Sequence, residues 1–176
     1  MYDLAMGPEM SQQAAPDTPA TTTFNILFVC TGNTCRSPLA EGIARAELAR
    51  RGWKHVSVAS AGIAARPGDG ATGHSVTVAA RHGIDLAGHR SQPLTPDLVA
   101  WADLVLGMGP SHLDGVWRLG GAEKALTLGD FASGAENGYS IRDPFGGPES
   151  VYQDTYDELH RLVGQALDRL APILHP

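Results

Sequence analysis

Between Val29 and Pro38 the chain reads Val-Cys-Thr-Gly-Asn-Thr-Cys-Arg-Ser-Pro, which sets a thiol at Cys30 and a guanidinium at Arg36. The five residues between them, Thr31, Gly32, Asn33, Thr34 and Cys35, can wrap an anion, and Ser37 and Pro38 open the segment that follows. An apolar run, Ile26 to Val29, leads in, and an alanine-rich helical stretch leads out. Strand, tight loop and helix N-terminus gather backbone N–H groups around a phosphate. A cysteine at the base of that loop is placed as a nucleophile. Gly32 and Asn33 tolerate the left-handed backbone that an inward-folded loop requires. Pro38 suits a first helical turn, where its missing N–H is no loss. The bland alternative is an inert Cys30 at a strand end, with Arg36 in an ordinary surface ion pair.

If Cys30 attacks a phosphoryl group, the leaving group needs a proton, and a carboxylic acid held near the loop can supply it. Asp143 is the best candidate. It stands in Arg142-Asp143-Pro144-Phe145-Gly146-Gly147-Pro148, a loop stiffened by proline and hinged by glycine. An Asp-Pro pair is also common as a plain turn. Asp130, Asp154 and Asp157 compete, the last two being more simply the solvated face of a terminal helix.

The elements that must position these groups alternate strand and helix, which implies a parallel sheet covered on both faces. Strands are expected at Phe24–Cys30, His55–Ala61, Leu104–Met108 and Ala125–Leu128. Helices are expected from Ser37 to about Arg51 with Gly52 as C-cap, over His74–His82 closed by Gly83, and over Thr95–Trp101 with Thr95 as cap and Pro96 first. Others follow at Ser111–Leu119 and from about Glu149 to Leu170. Gly62–Gly73, Ile84–Pro93 and Gly129–Gly147 read as loops. The expected fold class is α/β, a four-stranded twisted parallel sheet with helices on both faces. Such sheets bind ligands at the carboxyl ends of their strands, where the loop after the first strand lies.

Composition bounds the rest. A chain of 176 residues, 43% hydrophobic and 18% charged, predicts one soluble globular domain. A net charge of −6, with only Lys54 and Lys124 as lysines and scattered arginines, speaks against a nucleic-acid partner. Two cysteines five apart make neither a disulfide scaffold nor a zinc site, and the seven histidines form no ligand cluster. No apolar run approaches a membrane span. Residues 1–22, with three methionines and three prolines but no basic start or apolar core, read as a disordered extension rather than a signal peptide. The domain is then 23–176, and the expected compartment is the cytoplasm.

With both constellations in view, the chain resembles the low-molecular-weight protein phosphatases. Cys30 to Pro38 matches their phosphate loop, Asp143-Pro144-Phe145 their acid loop, Ser60-Ala61-Gly62 their Ser-Ala-Gly segment, and Gly88-His89-Arg90-Ser91 a His-Arg segment. The likeness runs from about Asn25 to Leu170, in the family's order. Within the family, Thr34 and the Asp-Pro-Phe-Gly-Gly run look most like the bacterial protein-arginine phosphatases; tyrosine-directed members usually carry an aliphatic residue at the position of Thr34 and Tyr at that of Phe145. An aromatic ring is also missing from Ile63–Arg66, where tyrosine phosphatases often place one.

The resemblance implies catalysis through a cysteinyl-phosphate by Cys30, Arg36 and Asp143. Thr31, Gly32, Asn33, Thr34, Cys35, Ser37 and Phe145 would bind substrate, and Asn33, Ser60 and His89 would brace the loop. No metal or cofactor is expected, because Arg36 and the loop amides carry the charge. Phosphorylated proteins are the expected partners of a monomer. Tyrosine phosphatase is the alternative. An arsenate reductase would need further cysteines downstream, and a phosphopeptide-binding module would be expected to lose Cys30 or Asp143. Cys35 reads equally as a redox partner of Cys30 and as a small buried hydrophobe.

Overall fold

The computed structural model describes residues 23–174, so the extension expected over residues 1–22 lies outside the described residues. Four parallel strands, β1 (Phe24–Cys30), β2 (Val56–Gly62), β3 (Leu104–Gly107) and β4 (Ala125–Thr127), lie in the order β2-β1-β3-β4. The helices are α1 (Arg36–Arg51), α2 (Gly73–Arg81), α3 (Pro96–Trp101), α4 (Pro110–Arg118), α5 (Leu128–Ser133) and α6 (Glu149–Leu174), with a 3₁₀ turn at Ala122–Lys124.

The near-continuous apolar run of β1 is that of a strand buried on both faces. Ile26, Phe28 and Cys30 pack among Leu39, Ile43, Leu159 and Leu167 of α1 and α6. Leu27 and Val29 point the other way, against Val99, Ala102, Val105 and Val116. The chain runs from β1 to β2 on one side and returns to β3 on the other. The strand order therefore reverses at β1, and its carboxyl end is the crevice where such sheets hold ligands.

Two glycine positions fix what happens there. Gly62 pairs with Cys30 across β1 and β2. A Cβ on Gly62 would stand 2.5 Å from the Thr31 carbonyl and 2.9 Å from the Asn33 nitrogen, so the loop after β1 folds down onto bare backbone. Gly52, at φ 72°, ends α1 in the left-handed conformation that costs glycine least.

The expected boundaries hold to within a residue or two except in two places. The segment Gly129–Gly147, expected to be loop throughout, begins inside α5, because the Thr127 hydroxyl accepts the Asp130 N–H at 3.1 Å and caps a short helix. The terminal helix, expected to end at Leu170, continues to Leu174 through Pro172. The carbonyl that Pro172 leaves unbonded belongs to exposed Asp168, and the Leu174 carbonyl is bound by His55 Nε2 at 2.8 Å. Among the described residues, no helix is long and apolar enough to cross a membrane.

Candidate active site

The loop from Thr31 to Cys35 turns through Asn33, which has φ 56° and is the one non-glycine residue at positive φ among those described. Asn33 is fully buried, and its side chain organises the loop. Its Oδ1 accepts the Gln92 N–H at 2.9 Å. That bond leaves Nδ2 to donate twice, to Ser37 Oγ at 2.8 Å and to Ser60 Oγ at 2.9 Å. The Ser60 hydroxyl donates onward to Glu41 Oε2 at 2.8 Å, and Ser37 Oγ shares a hydrogen bond with Cys30 Sγ at 2.9 Å while lying 3.5 Å from the Ala61 carbonyl. The Asn33 carbonyl accepts from His89 Nε2 at 2.7 Å. Ser60 and His89 thus both hydrogen-bond to Asn33, one through its side chain and one through its carbonyl. Glu41 and Gln92 complete the network, and nothing local in the sequence marks them.

Loop and flanking segments are held together by backbone. Ile63 and Ala64 donate to the carbonyls of Cys30 and Thr31 at 3.0 and 2.9 Å, and Thr72 donates to that of Thr34 at 2.9 Å. Among the described residues, no acceptor is paired with the N–H groups of Gly32, Asn33, Thr34 or Cys35. They precede the N-terminus of α1, whose partial positive charge adds to theirs.

Arg36, 6% exposed, completes the arrangement. Its Nη1 donates to the Ile141 carbonyl at 3.0 Å, and its Nη2 lies 3.5 Å from Asp143 Oδ2. Its Nε is buried without a partner. A buried guanidinium N–H costs free energy unless something accepts it, and the anion such a loop would hold is the natural acceptor.

These groups line a cavity of about 210 Å³, formed by Cys30, Thr31, Gly32, Thr34, Cys35, Arg36, Asp143 and Phe145. Asp143 is half exposed, and its Oδ1 accepts the Phe145 N–H at 3.1 Å. Phe145 is 71% exposed at the rim. The acid loop is anchored by the Ile141 N–H bond to the Met108 carbonyl at 2.8 Å, at the end of β3. Of the competing carboxylates, Asp130 is turned away from chemistry. It accepts the N–H groups of Asn137, Gly138 and Tyr139 at 3.2, 2.8 and 3.2 Å and shapes the loop before Ile141.

Both cysteines are free and buried. Cys35 Sγ sits among hydroxyls, 3.5 Å from Thr72 Oγ1 and 3.6 Å from Tyr152 OH. His112 was unmarked in the sequence. It lies buried in the first turn of α4, with Nε2 3.0 Å from Thr31 Oγ1. Burial, aided by the charge of Arg36, lowers its pKa to about 4, with Asp143 and the Gly109 bond opposing.

The profile of the low molecular weight phosphotyrosine protein phosphatase family matches residues 25–172. The chain belongs to this family. It is a phosphoprotein phosphatase, a hydrolase. The chain is 42% identical to a protein-arginine-phosphatase of Geobacillus stearothermophilus, over 84% of this chain and 96% of that one. It is 40% identical to that of Bacillus subtilis, over 84% and 97%. Relatives named as low-molecular-weight protein-tyrosine-phosphatases match at 32–37%. The phosphatase superposes with a TM-score of 0.79 on a solved YwlE arginine phosphatase, a cysteine-to-serine mutant phosphorylated at that serine. This match has 40% identity and covers 84% of this chain and 95% of the other.

Proposed function

We propose that this phosphatase removes phosphate from protein arginine residues, with Cys30 as nucleophile, Arg36 as phosphoryl clamp and Asp143 as proton carrier. The observation that carries the reading is Thr34 on the wall of the cavity that also holds Cys30, Arg36 and Asp143. A short side chain with a hydroxyl suits a planar, polar guanidinium, where an aliphatic residue would suit a phenyl ring.

In the first step the Cys30 sulfur attacks phosphorus in line, an S–P bond forms and the P–N bond breaks. The departing guanidine nitrogen takes its proton from the Asp143 carboxyl. The Arg36 fork and the loop amides hold the equatorial oxygens as charge spreads over them. In the second step Asp143, now a carboxylate, takes a proton from water. The water oxygen attacks phosphorus, the S–P bond breaks, and inorganic phosphate leaves Cys30 as thiolate. No step calls for a metal, since fixed charge and N–H donors already face the phosphoryl group.

A second reading, tyrosine phosphatase, rests on the exposed Phe145 ring, against which a phenyl group can lie as well as a guanidinium. Paired assays decide. Phosphoarginine peptides should be turned over much faster than phosphotyrosine peptides, and Thr34→Ile should move the preference toward phosphotyrosine by about tenfold or more. Equal rates on both, or no shift on substitution, would remove the arginine assignment. We infer further that the enzyme works as a cytoplasmic monomer, which sedimentation and cell fractionation would test.

A further inference from the structure

One buried, polar side chain at the cavity has no part in the mechanism above. His112 is 3% exposed, yet it touches Thr31, the residue that follows the nucleophile. Both of its ring nitrogens are engaged. Nδ1 accepts the Gly109 N–H at 3.0 Å, which requires Nδ1 to be unprotonated. The proton of the neutral ring therefore sits on Nε2, 3.0 Å from Thr31 Oγ1, and Nε2 is the donor in that contact. The Gly109 bond at the start of α4 holds the ring in this tautomer.

The consequence falls on Thr31. A hydroxyl has one proton and two lone pairs. With one lone pair taken by His112, the Thr31 proton must point elsewhere, and Thr31 is exposed on the cavity wall. Accepting one hydrogen bond also strengthens a hydroxyl as a donor. Arg36 and the free loop N–H groups make this cavity a place for acceptor oxygens.

We propose that His112 is a positioning residue for phosphoryl transfer, which fixes Thr31 as a hydrogen-bond donor to a phosphoryl oxygen of the substrate. Thr31 is then a binding contact made through its side chain as well as through its place in the loop. The proposal rests on the phosphatase reading of the cavity but not on the choice of arginine over tyrosine.

The test uses the full chain, with para-nitrophenyl phosphate as substrate and inorganic phosphate as competitive inhibitor. Thr31→Val, which keeps shape but loses the hydroxyl, should lower kcat/KM and weaken phosphate inhibition by about tenfold each, the value of one hydrogen bond to a charged acceptor. Thr31→Ser should stay within about threefold of wild type. His112→Asn keeps an acceptor for the Gly109 N–H but cannot reach Thr31, and should reproduce most of the Thr31→Val loss. The double variant should be no worse than Thr31→Val, because His112 acts only through that hydroxyl.

Losses that multiply in the double variant, or a Thr31→Val enzyme with wild-type phosphate inhibition, would overturn the proposal. If His112→Asn fails to fold, the Thr31 variants still decide, since a hydroxyl requirement admits Ser and excludes Val. A wild-type chain without turnover would remove the phosphatase reading, and this proposal with it.

Discussion

Arg36 and Asp143 face each other at 3.5 Å across the cavity, the one buried and the other half in solvent. The separation is long for a hydrogen bond. The carboxylate therefore has lone pairs to spare, and the guanidinium keeps its Nε free. Arg36 thereby spans both loops, holding the Ile141 carbonyl through Nη1 while its side chain lines the cavity beside Cys30. Asp143→Asn should preserve this geometry and remove the proton. We expect kcat to fall by about 10²–10³-fold, and least for leaving groups that depart without protonation. A series of aryl phosphates of differing leaving-group pKa checks this; equal losses across the series would count against Asp143 as the acid.

Asn33→Ala should cost about 2–4 kcal/mol and lower the melting temperature by roughly 5–10 °C, because it strands buried serine hydroxyls and the Gln92 N–H. Asn33→Gly loses the same bonds but adopts φ 56° freely, so it should recover about 1 kcal/mol of that loss. Thermal denaturation of the two variants separates the network from the backbone. Identical midpoints would mean that the left-handed turn is unstrained.

Removing Asp130 should loosen the segment leading to Ile141. Burial pushes its carboxyl pKa up, but the N–H groups of Tyr139, Gly138 and Asn137 outweigh burial, so the folded value lies below the ordinary one. The stabilisation is thus complete above the ordinary pKa and is lost as pH falls through the folded value, below about 4. In hydrogen exchange, Asp130→Ala should show faster exchange at residues 137–141 and a drop in turnover without loss of the sheet. Unchanged protection there would contradict this.

His112 carries an acid-side dependence of its own. Its folded pKa of about 4 lies below the ordinary value, so the unfolded chain binds the proton first. Its contribution to stability is complete above about pH 6.5 and is lost progressively toward about pH 4, by roughly 3 kcal/mol at most. Urea denaturation at pH 7 and pH 5 should show a smaller pH effect in His112→Asn than in wild type. Equal slopes would show that the ring is not buried neutral.

Much of this was legible in the sequence because it is local. The run from Cys30 to Pro38 encodes its own turn, through Gly32 and Asn33, and its own helix start. The strands of an α/β sheet announce themselves as apolar runs such as Ile26 to Val29. What escaped is long-range. Glu41 looks like any solvated helix residue until β2 brings Ser60 within 2.8 Å of it. His112 looks like a surface histidine until α4 packs behind Thr31. Helix α5 was missed for a different reason: the pair Thr127 and Asp130 signals a cap, but Gly129 between them reads as a loop. Asp130 drew attention as a carboxylate near the acid loop, and the structure spends it on backbone N–H groups instead.

Gly62 marks the boundary between a part of the chain that can drift and a part that cannot. Any side chain at that position would drive the loop from Thr31 to Cys35 off the sheet, so even alanine is shut out. Directly after it, Ile63 and Ala64 stand in solvent, fastened by main-chain bonds that are indifferent to side-chain identity. New surface chemistry can accordingly be written into those positions, one substitution at a time, while the loop from Thr31 to Cys35 keeps its course.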